Sequence, residues 1–190
     1  MPKPQPKFPK PQAGKLLLSE PFLEDPNFKR SVILLTEHNE NGTVGFILNK
    51  PSNYKLNEAL QNFPAFDAPL FMGGPVQTDT LHFLHKLGNK LEGSIKIVDD
   101  VYWSGDFSTL KILIDVGQIN PDQVRFFAGY SGWNPEQLTK EVKENSWIIT
   151  DARRDYVFPE TPEKLWRKIL KDMGREFSII ANFPEDPSLN

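Results

Sequence analysis

Cysteine is absent from the chain. That single absence removes thiol nucleophiles, cysteine-ligated zinc, iron–sulfur clusters and disulfides, and it fits a reducing compartment. Long apolar runs are absent too. Leu16-Leu17-Leu18 and Val32-Ile33-Leu34-Leu35 fall far short of the ~20 residues that a membrane span needs. The N-terminus carries lysine but no apolar centre of the signal-peptide kind. A soluble, cytoplasmic protein without membrane insertion is the expectation. Charge of one sign is not in large excess either. The net charge of −3 comes from 22 basic and 25 acidic residues, a balance that argues mildly against a phosphate-binding surface.

What is present suffices for one self-contained core. A chain of 190 residues buries roughly 70% of its unfolded surface. Residues 1–12, MPKPQPKFPKPQ, hold five prolines and three lysines, so residues 1–13 read as a Pro/Lys-rich tail. Pro6-Lys7-Phe8-Pro9 matches the PxxP pattern of docking peptides, although a solvated tail accounts for the composition. Residues 14–182 form the single expected domain, and 183–190 a second loose end.

Strand and helix signals interleave inside that domain. Ser31–His38 and Thr43–Asn49, joined by Asn41-Gly42, read as a β-hairpin. Apolar residues on both of its faces place it in the middle of a sheet. Further strands are expected at 14–18, 69–72, 80–86, 94–98, 123–130 and 146–150. The spacing of Phe107, Leu110, Leu113 and Ile114 predicts a helix over 106–116, capped by Asp106 and ended by Gly117. A short helix is expected at 56–61. Asn134 as N-cap, Pro135 and Gln137 start another helix. Thr161-Pro162-Glu163 start the last, with Leu165, Trp166, Ile169, Leu170 and Met173 as its buried stripe.

Several segments resemble chemical motifs and fail on inspection. Gly129-Tyr130-Ser131-Gly132-Trp133 suggests a nucleophile elbow, but that turn needs a small residue two places after the serine, and Trp133 stands there. His82 and His85 on a strand point to opposite faces and cannot chelate one ion, so no metal is expected. Met72-Gly73-Gly74-Pro75-Val76 lacks the lysine of a P-loop and the spacing of a dinucleotide fingerprint, so no cofactor is expected. The glycine pair reads as a tight turn or bulge, with a backbone nest for an anion as the functional alternative. Arg125, inside the apolar run Val124-Arg125-Phe126-Phe127, needs a carboxylate or carbonyl partners; Asp25 and Glu141 are the acidic candidates. Lys164, Arg167, Lys168 and Lys171 form a basic stripe diluted by Glu163 and Asp172, which reads as a solvated face.

Blocks in order along the chain resemble the YqgE/AlgH family of small bacterial proteins. They are Leu16-Leu17-Leu18-Ser19 with Asp25-Pro26-Asn27-Phe28, Arg30 to Leu35 with Glu37-His38-Asn39, and Gly45 through Asn49-Lys50-Pro51. Gly73-Gly74-Pro75-Val76, Leu84-His85, Arg125, Gly129 to Trp133, Gln137-Leu138 and Trp147 follow. Lys50 stands where the family often has Arg, and Ser131 where Ala is common. The resemblance implies an α+β fold in which a mixed, strongly bent and branched β-sheet forms a partial barrel flanked by helices. It implies no established enzymatic activity. One branch is named for a proposed role in transcriptional regulation of alginate synthesis. No helix-turn-helix or zinc module supports direct reading of DNA here.

The polar and glycine-rich segments fall at expected strand ends, where loops present groups to a ligand. The candidate binding residues are therefore Asp25, Asn27, Arg30, His38, Asn39, Gly73, Gly74, Arg125, Tyr130 and Trp133, and no catalytic set is assigned. A binding or regulatory protein with a small anionic ligand or a protein partner is the leading reading. Regulation through nucleic acid, and an enzyme with His38 as general base oriented by Asp25 and Arg125, are the alternatives.

Overall fold

The computed structural model describes residues 9–185. Most of the PxxP segment and residues 186–190 lie outside the described residues. Among the described residues nine strands make one sheet: β1 (Lys15–Ser19), β2 (Val32–Asn39), β3 (Gly42–Ile47), β4 (Leu70–Met72), β5 (Val76–His85), β6 (Ile95–Val98), β7 (Val101–Trp103), β8 (Val124–Trp133) and β9 (Trp147–Asp151). Their order is β6-β7-β5-β8-β3-β2-β1-β9, with every neighbouring pair antiparallel. β4 adds in parallel to β8 at Phe126–Ala128. The same three β8 residues pair with β5, so β4 occupies the opposite edge, just ahead of the stretch Ser131–Trp133 that pairs with β3. One edge of β8 thus serves two strands in succession, and the sheet branches there.

The sheet curls until its two rims approach each other. Gly14, at the start of β1, lies so near the Ile97 carbonyl of β6 that a Cβ on it would stand 3.0 Å away. Its carbonyl accepts from Ala152 N–H at the end of β9. The inner face therefore collects side chains from both rims and the middle: Leu16, Leu34, Phe46, Leu84, Val101 and Phe127. Onto this core pack α5 (Leu165–Asp172) and α6 (Arg175–Ala181). The α5 stripe is the one its spacing predicts, with Leu165, Trp166, Ile169 and Leu170 buried. Each such side chain contributes roughly 1.5–3 kcal/mol. On the outer face, α2 (Phe107–Asp115) covers Phe83, Val124 and Phe126. There α3 (Gln137–Lys143) places Leu138 against Leu17, Ile33 and Trp147.

α2 keeps its expected cap: Asp106 accepts from Thr109 N–H at 2.8 Å, and Gly117 follows at φ 69°. α1 (Leu56–Ala59) is one turn long. The other helix start differs from expectation. α3 begins at Gln137, after Glu136 at φ 66°, because β8 runs on to Trp133 and the chain must reverse sharply. The Asn134–Gln137 link survives as a turn, with Asn134 N–H donating to Gln137 Oε1 at 3.0 Å. β7, α4 (Arg154–Val157) and α6 have no counterpart in the sequence reading; the first two are too short to show a period. Among the described residues no helix is long and apolar enough to cross a membrane.

Candidate functional site

The mouth of the curled sheet is shaped by one extra residue. In β2, Leu35 pairs with Gly45, yet Glu37 pairs with Val44, so Thr36 has no opposite number. Strict alternation from Leu34 would send Thr36 and His38 to the inner face. The bulge reverses this order beyond it. Glu37 and Asn39 take the inner face with Val44, while His38 falls opposite Thr43 on the outer side. His38 Nδ1 lies 2.7 Å from Thr43 Oγ1, and the ring does not line the mouth.

The mouth is a cleft of about 340 Å³ whose walls include Glu37, Asn39, Val44, Val76, Tyr130 and Gly132. Val44 and Gly132 are cross-strand partners, so the absent side chain at 132 opens a notch beside Tyr130. Asn41, Asn134 and Gln137 add amides at the rim. Asn39 is pre-set: its amide donates to Glu37 Oε1 at 2.7 Å, and its oxygen accepts from Asn41 N–H at 2.8 Å. Tyr130 stands edge-on to His82 at 5.8 Å. Burial holds the His82 imidazole below its ordinary pKa. Among the described residues the lining contains no lysine or arginine, and its one charged side chain is Glu37.

Trp133 reaches this cleft from a fixed position. It is 6% exposed, and its indole donates to Glu141 Oε2 at 2.9 Å. Trp147 donates to the same oxygen at 2.7 Å, and Gln137 to Oε1 at 2.9 Å. Glu141, on α3, is thus a neutral-donor hub. Sequence reasoning assigned it to Arg125 and missed this role, although two tryptophans within reach of one helical acid were there to be seen.

Gly73 and Gly74 form the branch point, not a ligand nest. Gly73 N–H donates to the Ala128 carbonyl, and its own carbonyl accepts from Ile47 N–H at 2.9 Å and from Ser131 Oγ at 3.1 Å. A Cβ on Gly73 would stand 2.3 Å from Gly129 O, and one on Gly74 2.2 Å from the Tyr130 carbonyl. The chain crosses β8 backbone against backbone, which only glycine permits. The stretch Phe127 to Leu138 is thereby explained: a strand bent at Gly129 (φ 66°), then a turn.

The remaining candidates scatter. Asp25 closes an Asx turn, accepting from Asn27 N–H at 2.9 Å. Asn27 and Gly74 line a smaller cleft of about 230 Å³ with Lys50 and Met72. There the Lys50 ammonium donates to the Pro26 carbonyl at 3.2 Å and to that of Asn27, and burial lowers its pKa against the opposing pull of Asp25. Arg30 (φ 49°) lies over Trp166 at 4.8 Å and donates to the Phe183 carbonyl at 2.6 Å. Asn49 holds this loop, donating to Arg30 O and accepting from Val32 N–H, both at 2.8 Å. It too was missed.

Arg125 corrects the expected acidic pairing. Neither Asp25 nor Glu141 meets it. The guanidinium, on a residue only 8% exposed, donates to the Val157 and Pro159 carbonyls at 3.2 and 3.4 Å. It lies over Phe71 at 4.6 Å and Phe158 at 5.4 Å. Burial brings its pKa down to about 10. It clamps the segment after α4 to the sheet, because carbonyl dipoles and aromatic faces take the place of an anion. So the structure gathers Asn39, Tyr130 and Trp133 in one cleft and Asn27 and Gly74 in another. Arg30, His38 and Arg125 join neither.

A branched, curled antiparallel sheet packed by helices on both faces, with a polar mouth, defines an α+β half-barrel. The AlgH-like family model matches residues 16–178, and the chain belongs to that family. A UPF0301 protein of Chlorobium limicola is 48% identical over 183 residues, covering 96% of this chain and 98% of its own. The solution structure of the AlgH protein from Pseudomonas aeruginosa superposes with a TM-score of 0.72 at 28% identity, covering 97% of this chain and 98% of that one. The crystal structure of protein DIP2367 from Corynebacterium diphtheriae gives 0.77 at 21% identity, over 93% and 95%, a likeness of fold.

Proposed function

We propose that this chain is a binding protein whose ligand enters the mouth of the half-barrel. One observation carries the reading: a polar cleft, free of cations among the described residues, opens at the end of a core that is otherwise apolar. Four amide side chains, the Glu37 carboxylate and the Tyr130 ring suit a neutral or positively charged group that donates hydrogen bonds. Regulation, on this reading, follows from what is bound. The enzyme alternative loses its geometry, since His38, Asp25 and Arg125 share no hydrogen bond and no cleft. In the basic stripe one of the four cations, Lys168, is held by Asp155 and Asp172 at 3.7 and 3.2 Å, which lessens the charge offered to nucleic acid.

The test is an NMR titration of the ¹⁵N-labelled protein with arginine amide as the cationic probe and asparagine amide as the neutral one. Saturable shifts are expected at Asn39, Val44, Tyr130 and Gly132. Glu37→Gln weakens the arginine probe and spares the other. Shifts confined to residues outside the mouth, or none in the millimolar range, overturn the proposal.

A further inference from the structure

At the opposite end of β8 lies a third cleft, of about 450 Å³, between the residue after β5, the β6–β7 turn and α4. Its lining holds three cations, Lys86, Arg153 and Arg154, against two carboxylates, Asp99 and Asp155, with Phe158 as the apolar wall. Three acids of this region are engaged by its arginines, while Asp122 and Asp100 also lie near enough to act on Lys86. Asp155 pairs with Arg153 at 2.7 Å. Asp99 accepts from Arg154 N–H at 2.9 Å, and the neighbouring Asp100 pairs with Arg154 at 3.2 Å.

Lys86 is the cation left over. Its ammonium forms no ion pair among the described residues and stands 4.6 Å from the centroid of Phe158. The buried Arg125 approaches the same ring at 5.4 Å. Two cations thus share one aromatic ring, and Arg125 spends its hydrogen bonds on carbonyls. Ring quadrupoles offset such crowding only in part. We propose that this cleft binds a small molecule through an anionic group, a phosphate or a carboxylate, seated between the Lys86 ammonium and the Arg154 guanidinium. The volume fits a small metabolite, since ligand sites run from roughly 300 to 1,000 Å³.

A supporting sign lies in the titration of Lys86. Burial lowers its pKa first and Arg154 lowers it next, with Asp122 and Asp100 opposing and Arg125 adding to the fall. A bound anion reverses the repulsion from both arginines, so occupancy raises that pKa.

The experiment titrates the ¹⁵N-labelled protein with sodium phosphate, and separately with sodium acetate, at ionic strength held constant with chloride. Saturable shifts at Lys86, Asp99, Arg154 and Phe158 are expected. A response to phosphate alone assigns a phosphate-bearing ligand, and a response to both admits carboxylates. Lys86→Gln should weaken binding at least tenfold, and Lys86→Arg, which keeps the cation, should retain it. The arginine variant covers the case in which the glutamine variant fails to fold. Shifts that do not saturate, that chloride reproduces, or that are equal in Lys86→Gln and the parent protein overturn the proposal. Because the mouth lies at the other end of β8, its own titration can fail without touching this result.

Discussion

The branch of the sheet and its mouth lie on the same strand, a few residues apart, and they make opposite use of their residues. At the branch, Gly73, Gly74 and Gly129 bring backbones into contact, and the N–H and carbonyl of Gly73 are taken by the chain itself. At the mouth, Glu37, Asn39 and Gly132 are exposed side by side, and the Glu37 and Asn39 side chains bond to each other and to Asn41 while lining open space. Both regions are rich in glycine and polar residues, so composition alone does not separate them. The difference teaches that glycine marks a site only where space remains beyond it.

The largest test of this contrast is Gly74→Ala. Its Cβ would meet the Tyr130 carbonyl at 2.2 Å, and backbone cannot yield as a side-chain tip does. Urea denaturation should show a loss of about 3 kcal/mol or more. An alanine accepted without loss would erase the distinction. Next is Glu141→Gln, which leaves an amide N–H facing the Gln137 donor and replaces charge-assisted bonds to two indoles. About 1–2 kcal/mol should be lost, with a change in tryptophan emission.

A smaller effect sits on β5, which flanks both regions. His85 is fully buried, with Nε2 2.8 Å from the Ser104 carbonyl and Nδ1 accepting from Leu87 N–H at 3.2 Å. Burial lowers its pKa, opposed by that carbonyl. The folded state therefore binds fewer protons than the unfolded one below the ordinary value of about 6.5. Stability is fully present above that pH and declines as pH falls through it towards the folded value. Tm measured from pH 7.5 to 5 should fall, His82 contributing in the same direction, and His85→Gln should flatten the curve. The smallest effect belongs to the mouth. Asn39→Ala should shift stability by no more than about 0.5 kcal/mol while abolishing the probe binding described above. An unfolded Asn39→Ala protein would place the mouth with the branch.

How much of this was legible beforehand depends on range. The hairpin, the α2 cap and the α5 stripe rest on contacts within a few residues, and each follows from spacing and turn chemistry. The Asx turn at Asp25 is equally local. Arg125 could be recognised as an anomaly, but its partners lie 32 and 34 residues away as backbone carbonyls, which no side-chain pattern announces. The tryptophan–Glu141 hub spans only eight and six residues and was missed for a different reason, since pairing opposite charges is the habit that short-range reasoning brings. The sequence reading grouped His38 with the other polar segments at strand ends, and the bulge at Thr36, which no local pattern announces, turns that ring away from the cleft lined by Asn39, Tyr130 and Trp133.

That unpaired threonine has an evolutionary consequence. A strand with one surplus residue works as a two-position selector: upstream of it nothing moves, and downstream odd and even positions trade compartments. Deleting Thr36 would merely close the bulge and leave Glu37, His38 and Asn39 on the faces they hold now, whereas one residue inserted opposite it in β3 would pair Thr36 and present a different set to the lumen, imidazole in place of carboxylate and amide. A single-codon insertion in the facing strand is thus a route by which half-barrels of this kind could exchange what they recognise while the wall itself stays intact.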